Sequence, residues 1–545
     1  MRTLLTALLV FLHLLPLPAA STERPSLVVV VSIDQFRQEY LTRFAAHFAD
    51  GGFRRLLSRG AVFTNAEFDH SLTMTGPGHA VILTGTYGNV NGITANSWWD
   101  AAARREVYCV ADPAATLVGA AGNGSSPANL MTPTLGDELR LASGFRARVV
   151  SVSNKDRAAV LMGGKLASGV FWMAESTFTT STYYATSLPG WVREFNNSGV
   201  VNGYFGRVWD RALPEDAYAG CDRDDAPYEG TGAGLGRAFP HPVTGEDRTR
   251  ITPSYYSALL TSPFGSEVLA AFARAAVRGE QLGKRGVTDV LCVGFSSNDY
   301  VGHTYGPNSH EVLDMTVCTD RILADFFDFL DEEVGLRNCL IVLTSDHGVA
   351  PVPEYVTANV AGADAGRVMV EPAKAMIEAS LSRRFGPPAR AKWIEAVSNN
   401  SIHLNPDALR ERGVDAAVVS QALADTLRRW KAMAAVFTNA QMAALSPSST
   451  IERRMKRSYH PLRTGDVFYA LKPYWIEGYG TTGTSHGEPH AYDAHVPVIF
   501  AGRAFRPGTY RTAASPADIG PTLAAVLGLV FPPGGDGRVL SEALR

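Results

Sequence analysis

Five runs of apolar, largely β-branched residues in this chain break off abruptly into polar ones. They are LVVVVSID ending at Asp34, RVVSVSNKDR from Arg148, VTDVLCVGFSSND ending at Asp299, LIVLTSDHG from Leu340, and VPVIFAG from Val496. A strand with one wet face alternates apolar and polar side chains, whereas a strand buried on both faces is apolar throughout. The runs therefore predict a parallel sheet with helices on both faces. The stretch from Ser309 to Val334 suits such a helix, with Val312, Met315, Ile322, Phe326 and Leu330 near one face and acids on the other. Strands alternating with helices make an open α/β fold. In such sheets ligands gather at the carboxyl ends of the strands, and here those ends carry Asp34, Asp299, Asp346 and His347.

Two long regions break the alternation: residues 160–255, rich in Trp, Tyr, Gly and Pro, and residues 351–480, with helical segments and a basic patch at Arg453, Arg454, Lys456 and Arg457. Both read as insertions into a single catalytic domain spanning 23–545, and the patch reads as solvated surface. Ahead of that domain, Met1-Arg2, an apolar run from Leu4 to Leu17 and the small residues Ala19, Ala20 and Ser21 describe a signal peptide over residues 1–22. The run is shorter than a membrane span needs. The expectation is an exported protein, periplasmic or secreted, with no stable membrane association after cleavage. A formal net charge of −3 excludes the strongly basic surface that nucleic-acid binding requires. The five cysteines form no CxxC pair, so they offer no thiolate zinc site, and their odd count leaves at least one unpaired. Cys292, Cys318 and Cys339, with apolar neighbours, read as small buried hydrophobes.

The chemistry must then rest on Asp and His. In SNDYVGH, Asp299 and His303 stand four apart, so one helical turn brings both to one metal ion. In TSDHG, the adjacent Asp346 and His347 would point in opposite directions from an extended chain, toward two neighbouring metals. His486 lies in the glycine-flanked loop TSHGEPH, and Asp34 closes the first strand. Mixed imidazole and carboxylate donors suit Zn²⁺ better than Ca²⁺ or Mg²⁺, which prefer oxygen alone. His79, His310 and His490 lack such neighbours and read as structural. In SLTMTGPGHAVILTG, Thr75-Gly76-Pro77-Gly78 reads as a tight turn into a helix starting near His79, and a helix N-terminus favours phosphate. A threonine hydroxyl becomes a nucleophile only when a base or metal lowers its pKa. Lys155 and Arg157, two apart after the run VVSVSN, would face the same way along a strand and meet one doubly charged anion.

Together Asp34, TMTGPGHA, SNDYVGH, TSDHG and TSHGEPHAYDAHVPVIF resemble the alkaline phosphatase superfamily, and within it the phosphate-irrepressible alkaline phosphatases exported by bacteria. The resemblance runs from about residue 27 to 530. It implies two zinc ions per chain: one held by Asp299, His303 and His486, the other by Asp34, Asp346, His347 and the Thr75 oxygen. It further implies that Thr75 is the nucleophile, that Asn96 in NGITANSWWD donates to a phosphate oxygen, and that Lys155 and Arg157 mark a phosphate monoesterase acting through a phospho-threonine. A nucleotide pyrophosphatase/phosphodiesterase shares the metal ligands and the threonine but not the Lys-x-Arg pair. A sulfatase would need a Cys/Ser-x-Pro-x-Arg motif that is missing around Thr75. A catalytically inactive binding module on the same fold would not need the full donor set.

Overall fold

The computed structural model describes residues 24–478, 480–531 and 534–545, so the segment read as a signal peptide lies outside the described residues. An eleven-stranded sheet runs through the centre. Its strands are β1 (Leu27–Ile33), β2 (Ala61–Phe63), β3 (Ala111–Val118), β4 (Asn123–Ser125), β5 (Val149–Ser153), β6 (Gly169–Ala174), β7 (Thr177–Ser181), β8 (Asp289–Phe295), β9 (Cys339–Thr344), β10 (Val498–Ala501) and β11 (Gly508–Tyr510). Their order across the sheet is β11-β2-β10-β9-β1-β8-β5-β6-β7-β3-β4. The block β9-β1-β8-β5-β6 is parallel throughout, while β10 and β7 flank it antiparallel.

The uninterrupted apolarity of β1 is explained by what lies on each side of it. Leu27, Val29, Val31 and Ile33 join one core with Val268 and Phe272 of α3 (Pro263–Gly279) and Leu323 and Phe326 of α5 (His310–Glu333). Val28 and Val30 face the opposite core, among Leu135, Leu139, Leu523 and Leu527 and beside Ile82 and Leu83 of α1 (Thr75–Thr84). Both sheet faces are dry, so the few polar residues within these strands, such as Ser32 and Ser151, are themselves buried.

Strand register sets where those ends fall. Ile33 pairs with Phe295, Ser32 with Thr344, and Gly294 with Ser153. Asp34, Asn154, Ser296 and Ser345 therefore leave the sheet at one level, and the site is built on that edge.

Four local expectations need correction. The helix at TGPGHA begins at Thr75 itself, with Met74 as the N-cap, rather than near His79. Pro77 fits there because first-turn N–H groups have no helical acceptor to lose. Lys155 and Arg157 do not lie along a strand: β5 stops at Ser153, Lys155 caps α2 (Asp156–Gly163), and Arg157 sits in its first turn. Within 160–255, β6 and β7 belong to the main sheet. Residues 394–398, 401–404, 467–471 and 433–438 form a separate four-stranded antiparallel sheet with its own core around Trp393, Ile402 and Leu423. The basic patch lies on α6 (Thr450–Ser458), where Arg454 is buried and paired with Glu67, so it is a clamp rather than solvated surface. All five cysteines are free.

Candidate active site

The six predicted donors converge. On α4 (Ser297–Tyr305) Asp299 and His303 share one face, with His303 Nε2 3.2 Å from Asp299 Oδ1, and His486 Nε2 comes within 3.6 Å of the same oxygen. Asp299, His303 and His486 form one donor group, and Asp34, Asp299 and His347 a second, each with its ligand atoms within 4.8 Å of one another. Asp346 joins the second group through Oδ2, 3.4 Å from His347 Nε2. The adjacent pair Asp346 and His347 thus points to one place, because β9 ends at Thr344 and the chain turns before reaching them.

Each imidazole is oriented by the backbone. Nδ1 of His303 bonds Thr484 O at 2.9 Å, Nδ1 of His347 bonds Gly348 O at 2.8 Å, and Nδ1 of His486 bonds Thr73 O at 2.7 Å. A carbonyl can only accept, so each Nδ1 carries the proton, and His347 and His486 are left with a lone pair on Nε2. At His303 burial lowers the pKa, but Asp299, 3.2 Å from Nε2, outweighs it and raises it. Burial, the leading cause, holds His347 and His486 below the usual imidazole pKa, which keeps them in the neutral form a metal needs. Burial together with Asp299 and Asp346 pushes Asp34 well above the ordinary carboxylate range. For Asp299 burial acts the same way, but Lys155 and His303 outweigh it and hold the carboxyl low. Three buried carboxylates this close repel one another unless a cation lies among them. Asp34 Oδ1 and Asp346 Oδ2 are also buried without a hydrogen-bond partner. The donor set and its orphaned oxygens fit a pair of Zn²⁺ ions.

Thr75 lies beside this cluster and is buried. Its Oγ1 is 3.5 Å from His347 Nε2 and accepts from Arg157 Nη2 at 3.3 Å. Asn96 Oδ1 accepts from Gly76 N at 2.7 Å, which leaves the amide NH₂ as the end available to an anion. The Lys-x-Arg pair divides its contacts. Arg157 faces the threonine, whereas Lys155 Nζ bonds Asp34 Oδ2 at 2.6 Å and Asp299 Oδ2 at 2.5 Å. Gly78 is needed for close packing: a Cβ there would stand 2.0 Å from the Asp346 carbonyl oxygen. A cleft of about 620 Å³ opens onto the site past Met74, Asn96, His303, Arg367, Asn399 and His486.

Several residues that hold the donors were not foreseen. His79, expected to be structural, bonds Thr75 O at 2.9 Å through Nδ1, which also lies 3.1 Å from Asp346 Oδ2 without a hydrogen bond to it. Asp493 Oδ2 accepts from the backbone of Gly487 and Glu488 at 3.0 and 2.9 Å and from Thr73 Oγ1 at 3.4 Å, tying the His486 loop to the carbonyl that orients His486. Gln35, next to Asp34, donates from Nε2 to Asp299 Oδ1 at 2.8 Å. Adjacency to a ligand was the only signal for Gln35. His490 and His310 turn elsewhere, to Leu471 O and Asp224.

A protein-family model described as type I phosphodiesterase / nucleotide pyrophosphatase matches residues 28–493. The chain belongs to this family. Within the alkaline phosphatase superfamily, this phosphodiesterase-family chain is 36% identical over 527 residues to alkaline phosphatase PhoV of Synechococcus elongatus, covering 96% of this chain and 93% of that one. Alkaline phosphatase PafA of Elizabethkingia meningoseptica is 33% identical, with 96% and 95% covered. The crystal structure of wild-type PafA superposes on this family member with a TM-score of 0.90, covering 96% of this chain and 99% of that chain. A Myroides odoratus protein named calcium-transporting ATPase is 32% identical over the full chain. Among the described residues of the present family member, no helix is long and apolar enough to cross a membrane.

Proposed function

We propose that this protein is an exported alkaline phosphatase that hydrolyses phosphate monoesters through a phospho-threonine at Thr75, at a centre for two zinc ions. Two relatives matched over nearly their whole length bear the name alkaline phosphatase. The finer reading rests on one observation: a buried hydroxyl, Thr75 Oγ1, between a neutral imidazole nitrogen at 3.5 Å and a guanidinium at 3.3 Å, beside two groups of metal-type donors.

Asp299, His303 and His486 would hold one ion, and Asp34, Asp346, His347 and the Thr75 oxygen the other. When bound, zinc supplies Lewis acidity that lowers the pKa of a hydroxyl and offsets charge on oxygen. Thr75 Oγ1 attacks phosphorus while the bond from phosphorus to the ester oxygen breaks, so the alcohol leaves and Thr75 becomes phosphorylated. Water then attacks that phosphorus, releasing inorganic phosphate and restoring the hydroxyl. Arg157 and the Asn96 NH₂ receive the non-bridging oxygens, and the first-turn position of Thr75 adds the helix dipole. Lys155 supplies the second positive charge. The family description also names diester cleavage, but a monoester carries nearly one more negative charge than a diester. Arg157 beside Thr75, with Lys155 near it on Asp34 and Asp299, favours the monoester.

Acid-quenching during turnover of a labelled monoester tests this. The label is expected on Thr75, absent in Thr75→Ala and retained in Thr75→Ser. A label on any other residue, or turnover by Thr75→Ala at the wild-type rate, refutes the assignment.

A further inference from the structure

Gln35 is buried at 1% exposure, and its backbone is in the left-handed region with φ of 62°. L-residues other than glycine and asparagine adopt that conformation only when surrounding contacts hold it. Three contacts do so here. The backbone N–H donates to Asp346 Oδ1 at 3.1 Å, the side-chain Nε2 donates to Asp299 Oδ1 at 2.8 Å, and the carbonyls of Asp34 and Gln35 both accept from Asn298 Nδ2, at 2.9 and 3.2 Å. One residue thereby touches a carboxylate of each donor group while its neighbour Asp34 supplies a third. The amide orientation is fixed as well: exchanging its oxygen and nitrogen would put a carbonyl against the Asp299 carboxylate.

The amide oxygen, Oε1, is buried without a hydrogen-bond partner and lies against α4 at Gly302. A Cβ at Gly302 would stand 1.8 Å from it. Glycine disfavours a helix interior, so its presence one residue before His303 needs a reason, and the Gln35 amide supplies one.

We propose that Gln35 is a positioning residue that sets the spacing of the two metal-donor groups, and that Gly302 is the space its amide requires. The inference rests on reading the cluster as a two-zinc centre. A Cβ at position 302 would push the amide away from Asp299 and free that carboxylate to rotate. The damage would then appear in metal affinity, with the helix itself intact.

The test is a double-mutant cycle of Gln35→Gly, Gly302→Ala and the pair, reading the zinc dissociation constants by chelator competition alongside kcat/KM. Glycine at 35 removes the side chain and still accommodates the positive φ. Each single variant is expected to weaken at least one zinc site by about 10- to 100-fold, the usual effect of losing a partner of a metal ligand. Adding Gly302→Ala to Gln35→Gly should cost less than about twofold more, because the atom it strikes is gone. An equal Gly302→Ala penalty in both backgrounds overturns the proposal, as does zinc affinity within twofold of wild type in Gln35→Gly. If Gly302→Ala does not fold, the pair is expected to fold, and a pair that also fails to fold overturns it. Wild-type protein that binds no zinc refutes the metal-centre reading itself, a result separate from any of these.

Discussion

At the residue scale, the two cations of the Lys-x-Arg pair do different work. Arg157 reaches the Thr75 hydroxyl, while Lys155 holds the Oδ2 atoms of Asp34 and Asp299. Those carboxylates are thereby split, with Asp299 Oδ1 toward His303 and His486 and Asp34 Oδ1 toward His347. Arg157 touches none of the Asp and His donors and, of the proposed ligands, meets only the Thr75 oxygen, so Arg157→Ala should leave zinc content unchanged. Losing its charge-assisted contact in a water-poor site should lower kcat/KM for monoesters roughly 30- to 1,000-fold. A diester presents one fewer charged oxygen and should suffer less. Rates for a matched monoester and diester check this. Equal losses on both substrates would mean that Arg157 does not read monoester charge, and a wild-type preference for diesters would support the phosphodiesterase reading.

At the element scale, α6 grips the segment that leads into Thr75. Ser71 N donates to Arg454 O at 3.0 Å, and Ser458 Oγ accepts from Ser71 N and Leu72 N at 3.0 and 3.1 Å. Arg454 pairs with Glu67 and donates to Pro489 O at 3.0 Å, three residues beyond His486. Arg454→Ala removes a buried guanidinium and leaves these partners unmatched, so it should cost about 3 kcal/mol in denaturant unfolding and lower activity. Arg453, with its side chain 48% exposed over Asp69, should cost under about 1 kcal/mol when replaced by alanine. Equal costs for the two would contradict the clamp. This docking was not legible in the sequence, where four basic residues in a row of helix look alike whether or not acids wait across a fold. The central strands were legible because burial on both faces leaves an unbroken apolar run in β1, β8 and β9, Val28–Val31, Val290–Val293 and Leu340–Leu343. The donors at their ends were legible because they follow closely on those apolar runs. The strands at 394–404 and 433–471 span only four to six residues each, too few to display a period. The orientation of Lys155 was misread because where β5 gives way to α2 depends on tertiary packing.

At the scale of the whole molecule, the region 208–242 is joined to α5 through buried acids. Glu311 Oε1 lies 3.0 Å from His241 Nε2, its Oε2 has no partner, and burial pushes its pKa up to about 8. Burial, helped by Glu311, pushes Glu229 up to about 9. In an unfolded chain both ionise near the ordinary glutamate value of 4.5. Below that pH both states keep the protons and nothing is lost. As pH rises toward 8 the unfolded chain has released protons that the folded protein still binds, so stability falls across that window and levels off above the folded pKa values. Glu311→Gln should therefore stabilise the protein at pH 8 by on the order of 2 kcal/mol and change it little at pH 5. Urea unfolding at the two pH values decides, and parallel shifts would contradict the assignment. The placement of β1 has a different consequence, for synthesis. This strand is made well before its partners, residues 289–295 and 339–344. Until they arrive, VVVV is an uncharged, β-branched segment with both edges unpaired, the composition from which intermolecular cross-β stacking starts. His486 arrives later still. Until residue 344 has been made VVVV stays open to such contact, and the full set of proposed donors exists only once translation has passed His486.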